Sequence, residues 1–247
     1  MIENIKDIIL NHRLVIRTFP DYDGEDSFSG VIKQKQLTIV EAPMIEVQKI
    51  NFTLNRPSQY YDWLVFTSKN GVKSWFSRFS KYEQQKIAVI GAPTAQALAK
   101  FGLMADFIGS GHSGVVFAQE FKRVLQGYEK LLLILGNLAP DKLMNNLLKG
   151  WGKDCNLDID RVDVYETRMP LSINHVAINR IITNDYRVIA VSSPSAVHNL
   201  MHVLANRAKN LRFVSIGGVT SNAIRSYGYE PVAEAVEQSY ASLADVC

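Results

Sequence analysis

The sequence has 247 residues, a length that suits one large domain or two small ones. Apolar residues make up 47% and charged residues 21%, close to globular averages, so a largely disordered chain is excluded. Lysine and arginine total 27 against 24 aspartates and glutamates, a formal charge of +3 without a dense basic run. This balance argues against nucleic-acid binding but leaves room for a positive cleft that meets an anionic small molecule.

The sequence also predicts a cytoplasmic protein without a membrane anchor. Its longest apolar runs, such as residues 131–135, are far shorter than the roughly 20 residues of a membrane-spanning helix. The first ten residues carry Glu3 and Asp7 and lack the pattern of a secretory signal. Cys155 and Cys247 have no metal-ligand spacing and are expected to be free thiols, with a disulfide between them as the minor alternative.

We expect an α/β fold in which short buried strands alternate with helices. The strands are apolar nearly throughout, as strands covered on both faces are, and Gly, Ser, Pro or Asn turns follow most of them. Such alternation is typical of βα units in parallel sheets. In chain order the predicted elements are strand 14–17, strand 63–67, helix 70–79, strand 87–90, helix 93–101, helix 113–125, strand 131–135, helix 141–150, strand 188–192, helix 195–205, strand 213–216 and helix 221–227.

A block of two βα units occurs twice in the chain. IGAPTAQALAKFG, from Ile90, matches IGGVTSNAIRSYG, from Ile216, and FTSKNGV, from Phe66, matches VSSPSAV, from Val191. A weaker match links LVIRTFP with LLLILGN. Repeats of this kind mark duplicated structural units, so the sequence predicts two similar lobes with a ligand cleft between them. The alternative is a duplication retained for stability alone.

The repeated IGxxT turn is the first candidate ligand site. Its glycine turn and helix start present backbone N–H groups and the positive end of a helix dipole to an anion. The hydroxyls of Thr94 and Thr220 occupy the same offset in the two copies and could donate to a carboxylate or phosphate. The alternative is that each threonine only caps its helix.

The second repeated turn places Ser68 and Ser193 after predicted strands, at the carboxyl ends where α/β sheets bind ligands. The sequence lacks the GxSxG motif of serine hydrolases. GSGHSG, from Gly109, has the glycine spacing of the GxGxxG fingerprint of dinucleotide enzymes, but it follows a short apolar piece rather than a clear strand, so we expect a loop that enters a helix. His198 and His202 are spaced like two metal ligands on one helix face, but no third ligand is near them in the sequence. We therefore expect a solvated helix face there and no metal site.

In this order, VFTSKNGV, IGAPTAQALAKFG, LLLILGN, VYETR, SSPSAV and IGGVTSNAIRSYGYEP together resemble the uroporphyrinogen-III synthase family. The resemblance runs from Leu14 to Leu243. It implies two similar α/β lobes, each a parallel sheet flanked by helices, joined by two extended connectors. The implied division is a discontinuous lobe of residues 1–44 and 168–247, an inserted lobe of residues 48–160, and connectors at residues 41–47 and 161–168.

The resemblance implies an enzyme that converts hydroxymethylbilane, a linear tetrapyrrole with eight carboxylates, into cyclic uroporphyrinogen III. Ring D is inverted, water is lost, and no cofactor or metal is used. Such a substrate calls for many N–H and hydroxyl donors, and a site that holds the flexible chain in one geometry gains rate from orientation. A general acid near the departing hydroxyl would help to form the cationic azafulvene.

The family's motifs also imply site residues. Tyr165 in VYETR matches the family's connector tyrosine and is the expected proton donor, since a phenol with a pKa of about 10 is protonated at neutral pH. The alternative is an aromatic side chain that only packs on the connector. The implied substrate-binding residues are Thr18, Ser68, Lys69, Asn70, Gly91, Thr94, Gly136, Asn137, Ser193, Gly217 and Thr220.

The resemblance further implies a cytoplasmic monomer of heme biosynthesis, with no nucleic-acid or membrane partner. Its substrate would come from hydroxymethylbilane synthase, with which a transient contact is expected. The competing hypothesis is a catalytically inactive two-lobed protein that binds a tetrapyrrole or another anionic small molecule. An assay for ring inversion separates the two hypotheses.

Overall fold

The computed structural model describes residues 13–20, 27–111, 113–151 and 155–247. The chain divides into two compact units. The terminal unit contains the described residues up to Glu46 together with Arg168–Cys247, and the inserted unit is Val47–Thr167. Residues 1–12 and 21–26 of the predicted discontinuous lobe lie outside the described ranges.

Strands and helices alternate along most of the chain. A short 3-10 helix, Ser58–Tyr60, precedes the fourth strand. The described strands and helices are β1 (Leu14–Arg17), α1 (Ser27–Gln34), β2 (Thr38–Glu41), β3 (Glu46–Lys49), β4 (Trp63–Phe66), α2 (Lys69–Phe76), β5 (Lys86–Val89), α3 (Ala92–Ala99), β6 (Phe107–Ile108), α4 (Gly114–Phe121), β7 (Lys130–Gly136), α5 (Lys142–Leu148), β8 (Asp158–Arg168), α6 (His175–Ile182), β9 (Val188–Val191), α7 (Pro194–Leu204), β10 (Phe213–Ser215), α8 (Gly218–Arg225), β11 (Ala233–Glu234) and α9 (Tyr240–Asp245).

Each unit is built around one sheet. The terminal unit has the strand order β11-β10-β9-β1-β2, and its neighbouring strands pair in parallel. The other sheet has the order β3-β8-β7-β4-β5-β6, and its neighbours from β8 to β6 are parallel. The predicted α/β class with parallel sheets is therefore confirmed.

Inner strands such as β4 (WLVF) and β9 (VIAV) are apolar throughout because both faces of the sheet are covered there. In β1, Ile16 packs into one buried cluster with Ile178 of α6 and other apolar residues. Its neighbour Val15 packs on the opposite face with Phe28 of α1 and Leu243 of α9. Alternate side chains of a strand point to opposite faces, so a strand between two helical layers needs apolar residues at every position.

The predicted second connector, residues 161–168, is the latter part of the eleven-residue strand β8. Most of β8 pairs in parallel with β7, from Asp158 opposite Lys130 to Tyr165 opposite Gly136. Hydrogen bonds to a neighbouring strand hold this segment, so Tyr165 sits on an ordered part of the sheet.

The structure bears on two expectations from the sequence, the state of the cysteines and the presence of membrane-spanning helices. Cys155 and Cys247 are both free thiols, and Cys247 is buried. Among the helices that the structure describes, none is long and apolar enough to span a membrane.

Candidate active site

The two repeated serines begin helices in the same way. Ser68 has extended backbone angles (φ −155°, ψ 153°) and its hydroxyl oxygen accepts a hydrogen bond from the Gly71 N–H at 3.1 Å. Ser193 has φ −160° and ψ 154° and accepts from the Ala196 N–H at 3.2 Å. Serine is a preferred N-cap residue because its oxygen satisfies a free N–H of the first turn. Each hydroxyl keeps its own proton for donation to another group.

The hydroxyl of Tyr165 lies 3.0 Å from the Ser68 hydroxyl oxygen. Burial raises the pKa of Tyr165, the nearby charge of Asp163 adds to the rise, and the bond to Ser68 opposes it. The phenol is therefore protonated at neutral pH. Because Ser68 already accepts from Gly71, its proton can point to the Tyr165 oxygen, which leaves the phenol proton for a third group.

Gly136 and an irregularity of β8 make room for the Tyr165 ring. A Cβ atom on Gly136 would lie 2.4 Å from both Cε2 and Cζ of Tyr165. The register shifts between Leu135, which is opposite Asp163, and Gly136, which is opposite Tyr165, so Val164 is an extra residue of β8. Val164 and Tyr165 consequently pack against the same apolar cluster. In a regular strand they would point to opposite faces, so the bulge directs the tyrosine to its position.

Asn137 bonds to the backbone around Tyr165. Its N–H donates to the Tyr165 carbonyl at 3.1 Å, and its side-chain oxygen accepts from the Thr167 N–H at 2.9 Å. Arg161 holds the turn that carries Asn137, because its Nη1 donates to the Ala139 carbonyl at 2.8 Å.

The two repeated threonines occupy equivalent buried positions. Gly91 is the N-cap of α3 and Gly217 the N-cap of α8, and neither helix has a side-chain cap. Thr94 and Thr220 are each the third residue of their helix and are almost fully buried. The idea that the threonines cap these helices is therefore wrong, because glycine holds the cap position. Gly91 is also sterically required, since a Cβ there would lie 2.8 Å from Gly111 Cα.

Three other predicted substrate-binding residues differ in whether their side chains can donate a hydrogen bond to a substrate. Lys69 and Asn70 are the half-buried first two residues of α2, next to Ser68. Thr18 is fully buried, and its hydroxyl donates to the Ala190 carbonyl at 2.9 Å. Its backbone carbonyl accepts from the Met44 N–H at 2.8 Å. A hydroxyl has one proton, so Thr18 has no side-chain donor left for a substrate carboxylate, and its position supports a structural role.

Two supporting residues do not emerge from sequence reasoning. A Cβ on Gly71 would lie 3.1 Å from the Ile134 carbonyl oxygen, so this glycine lets α2 approach β7 closely. Arg161 bonds to Asp163 and reaches toward the Gly136 carbonyl at 3.4 Å. In the sequence, Gly71 is marked as the glycine of FTSKNGV. Arg161 is marked as a charged residue within RVDV, whose valines are apolar.

Of the two helix-face histidines, His198 lies beside a tyrosine hydroxyl. Nδ1 of His198 lies 3.0 Å from the Tyr227 hydroxyl on an exposed surface. Within the part of the chain that the structure describes, no group of three His, Cys, Asp or Glu side chains could hold a metal ion.

Of the predicted site residues, Ser68, Gly136, Asn137 and Tyr165 contact one another in the inserted unit. Lys69 and Asn70 adjoin them along the chain. Gly91 and Thr94 follow β5, which lies beside β4 in the same sheet. The other predicted site residues belong to the terminal unit, where they follow the strands β1, β9 and β10, and they are Thr18, Ser193, Gly217 and Thr220.

Comparison with known proteins gives one consistent result. The family model described as Uroporphyrinogen-III synthase HemD matches residues 26–245. A protein of Ruminiclostridium josui named Porphyrin biosynthesis protein HemD is 28% identical over 218 residues, which cover 82% of this chain and 42% of that protein. A protein of Synechococcus elongatus named Uroporphyrinogen-III synthase is 23% identical over 218 residues, which cover 80% of this chain and 81% of that protein.

A solved structure shares the fold. The crystal structure of uroporphyrinogen-III synthetase from Helicobacter pylori matches with a TM-score of 0.67 at 16% identity. The match covers 95% of this chain and 97% of that one. Because the family model spans most of the sequence, the chain belongs to the uroporphyrinogen-III synthase family.

Proposed function

We propose that this protein is a uroporphyrinogen-III synthase of tetrapyrrole biosynthesis. It closes hydroxymethylbilane into uroporphyrinogen III, inverts ring D and releases water, and is therefore a cyclising hydro-lyase. The observation that carries the proposal is the pair of hydroxyls of Ser68 and Tyr165, which lie 3.0 Å apart. Ser68 follows β4, Tyr165 lies in the last part of β8, and β7 separates these two strands in the sheet, so the pair sits at the carboxyl edge of the parallel strands. Family membership across residues 26–245 supports the same reaction.

Tyr165 is the proposed proton donor to the departing hydroxyl. The C–O bond breaks, its electron pair leaves with the oxygen as water, and the cationic azafulvene remains. Ser68 donates to the tyrosine oxygen as negative charge develops there, and the Gly71 N–H supports Ser68 from the first turn of α2. The proton returns to Tyr165 when the ring carbon that forms the new bond loses its own proton, so water is the one by-product.

The other proposed contacts hold the substrate carboxylates. Thr94 and Thr220 lie in the first turns of α3 and α8, where a helix dipole favours an anion. Ser193 keeps a hydroxyl proton for donation, and Lys69 brings a positive charge next to Ser68. Several weak donors suit this substrate because its many carboxylates must be held in one folded geometry.

The reaction sets expectations for partners and cofactors. Loss of water and ring closure involve no net oxidation or reduction, so we propose an enzyme that uses no cofactor. We also propose a monomer, as the family resemblance implies. Hydroxymethylbilane closes without an enzyme to the type I isomer, which favours transient contact with the synthase that makes it. We further propose a cytoplasmic enzyme, which agrees with the free thiols of Cys155 and Cys247.

A coupled assay tests the proposal. Hydroxymethylbilane is generated in place by its synthase, this protein is added, and the products are oxidised and separated into isomers by chromatography. We expect type III in excess of the type I background. Type I alone from folded protein would overturn the proposal and favour the binding protein without activity.

A further inference from the structure

Asn137 bonds to the main chain of β8 at two points, at Tyr165 and two residues beyond it. It follows the last residue of β7, and its N–H donates to the Tyr165 carbonyl at 3.1 Å. Its side-chain oxygen accepts from the Thr167 N–H, two residues further along β8, at 2.9 Å. One asparagine thus fixes both the carbonyl of the tyrosine and the strand that follows it.

This part of β8 needs such a constraint because the bulge interrupts its pairing with β7. Beyond the bulge the ladder has a single pair, Gly136 opposite Tyr165, so few bonds between the strands fix how far Tyr165 is advanced along β8. The turn that carries Asn137 is itself anchored, since Arg161 donates to the Ala139 carbonyl at 2.8 Å and to an Asp141 carboxylate oxygen at 2.7 Å. The position of Asn137 is therefore set independently of the tyrosine.

We propose that Asn137 is a positioning residue that places the Tyr165 hydroxyl beside Ser68 by holding the backbone of β8. The inference rests on the proposed role of Tyr165 as proton donor. A hydrogen bond between two hydroxyls tolerates little lengthening beyond the 3.0 Å found here. A reacting group that is misplaced by about 1 Å can lose about 100-fold in rate.

Direct contact with substrate is the competing role for Asn137, and the chemistry of its side chain separates the two. Its oxygen is engaged by Thr167, so substrate contact would use the amide nitrogen. Asn137→Asp keeps the oxygen acceptor and removes the nitrogen donor. Asn137→Ala removes both. A positioning role predicts different results for these two variants, whereas substrate contact through the nitrogen predicts a loss in each.

The experiment measures kcat and KM for type III formation in both variants and in Tyr165→Phe with and without Asn137→Ala. Asn145→Ala is the matched control, since it truncates an exposed asparagine on α5 of the same unit. We expect Asn137→Ala to lower kcat by about 10-fold to 100-fold with little change in KM. Asn137→Asp should recover kcat relative to the alanine variant, and Asn137→Ala should slow Tyr165→Phe no further.

NMR of protein labelled at tyrosine Cζ supplies a reading that needs no substrate. The Tyr165 signal should shift in Asn137→Ala and titrate nearer to the ordinary tyrosine pKa, because the ring loses part of its burial. An unmoved Tyr165 signal, a rise in KM alone, or an equal loss of kcat in the Tyr165→Phe background would each overturn the inference. If the wild-type protein makes no type III isomer, the proposed function fails, and the NMR comparison still decides whether Asn137 positions the tyrosine.

Discussion

Replacement of Gly136 by alanine adds one methyl group against the ring of Tyr165. The new Cβ would lie 2.4 Å from Cε2 and Cζ and 2.7 Å from the hydroxyl oxygen of the tyrosine. Carbon atoms pack at about 3.5–4.0 Å, so the ring must retreat by about 1 Å or more. Gly136 does not have a positive φ, so alanine is compatible with its backbone and the effect comes from the clash alone.

The expected fall in kcat follows from this displacement of the ring. The 3.0 Å distance between the hydroxyls of Ser68 and Tyr165 would grow beyond hydrogen-bond range. A misplacement of about 1 Å costs about 100-fold in rate, so kcat for type III formation should fall by about that factor. Overpacking costs about 1–3 kcal/mol of stability, against about 5–15 kcal/mol for a typical domain, so the variant should remain folded.

The assay compares the rate of type III formation and the thermal unfolding of Gly136→Ala with those of Gly114→Ala. Gly114 is the control in the same unit, because a Cβ there would meet its nearest atom, Leu143 Cβ, at an ordinary 3.7 Å. Gly136→Ala should be folded and slow, and Gly114→Ala should resemble the wild type. Wild-type kcat in Gly136→Ala would refute the claim that the position of the Tyr165 ring controls the rate of the reaction.

Three further predictions follow from the geometry. Burial raises the pKa of Tyr165, so the acid form persists to higher pH, and the alkaline loss of kcat caused by this residue should fall above the ordinary value of about 10; a loss near neutral pH that disappears in Tyr165→Phe would contradict this. Thr94→Ala and Thr220→Ala should each weaken substrate binding by about 1–3 kcal/mol, measured through KM, and an unchanged KM would remove them from the carboxylate contacts. The hydrogen bond from Arg56 holds the pKa of Asp158 below its ordinary range, so the ionised carboxylate stabilises the folded state. This contribution to the free energy of unfolding is complete above the unfolded-state pKa of about 3.9 and is lost as pH falls through the lower folded-state pKa. Asp158→Asn should therefore flatten the acid side of the urea-unfolding profile, and an unaltered acid dependence would argue against a contribution from this carboxylate.

The elements that sequence reasoning predicts well are those whose signal is local. The strand over residues 14–17 is found as β1, and the strand predicted over residues 188–192 is β9 (Val188–Val191), because each is a short apolar run buried on both faces. Ser113 marks the start of α4 as predicted, since its hydroxyl caps the first turn.

Local signals also mislead where a residue has a competing partner. Ser221 looks like the start of a helix, but α8 begins at Gly218. The reason is that the Ser221 hydroxyl is fully buried, lies 2.7 Å from the Ser215 hydroxyl and donates to Glu234. A serine that bonds inward to a neighbouring strand is not available as a cap, and the sequence alone does not reveal that choice.

In the candidate site, too, the sequence reveals local features but not the contacts that depend on the folded structure. The sequence places Ser68 after a predicted strand, and the family resemblance places Tyr165 on the second connector. Their direct contact depends on the bulge at Val164 and on the space left by Gly136. Nothing in VYETR indicates that one residue of the strand is unpaired. The role of Asn137 is hidden for the same reason, since its partners are backbone groups of β8.

The most direct test of the account is the rate of type III formation by Tyr165→Phe. Phenylalanine keeps the ring and removes the hydroxyl that lies 3.0 Å from Ser68. Tyr128→Phe is the matched control, because Tyr128 is an exposed tyrosine of the same unit. We predict that Tyr165→Phe remains folded and is slower by more than about tenfold, while Tyr128→Phe keeps the wild-type rate. Wild-type turnover in Tyr165→Phe would contradict the claim that this hydroxyl donates the proton.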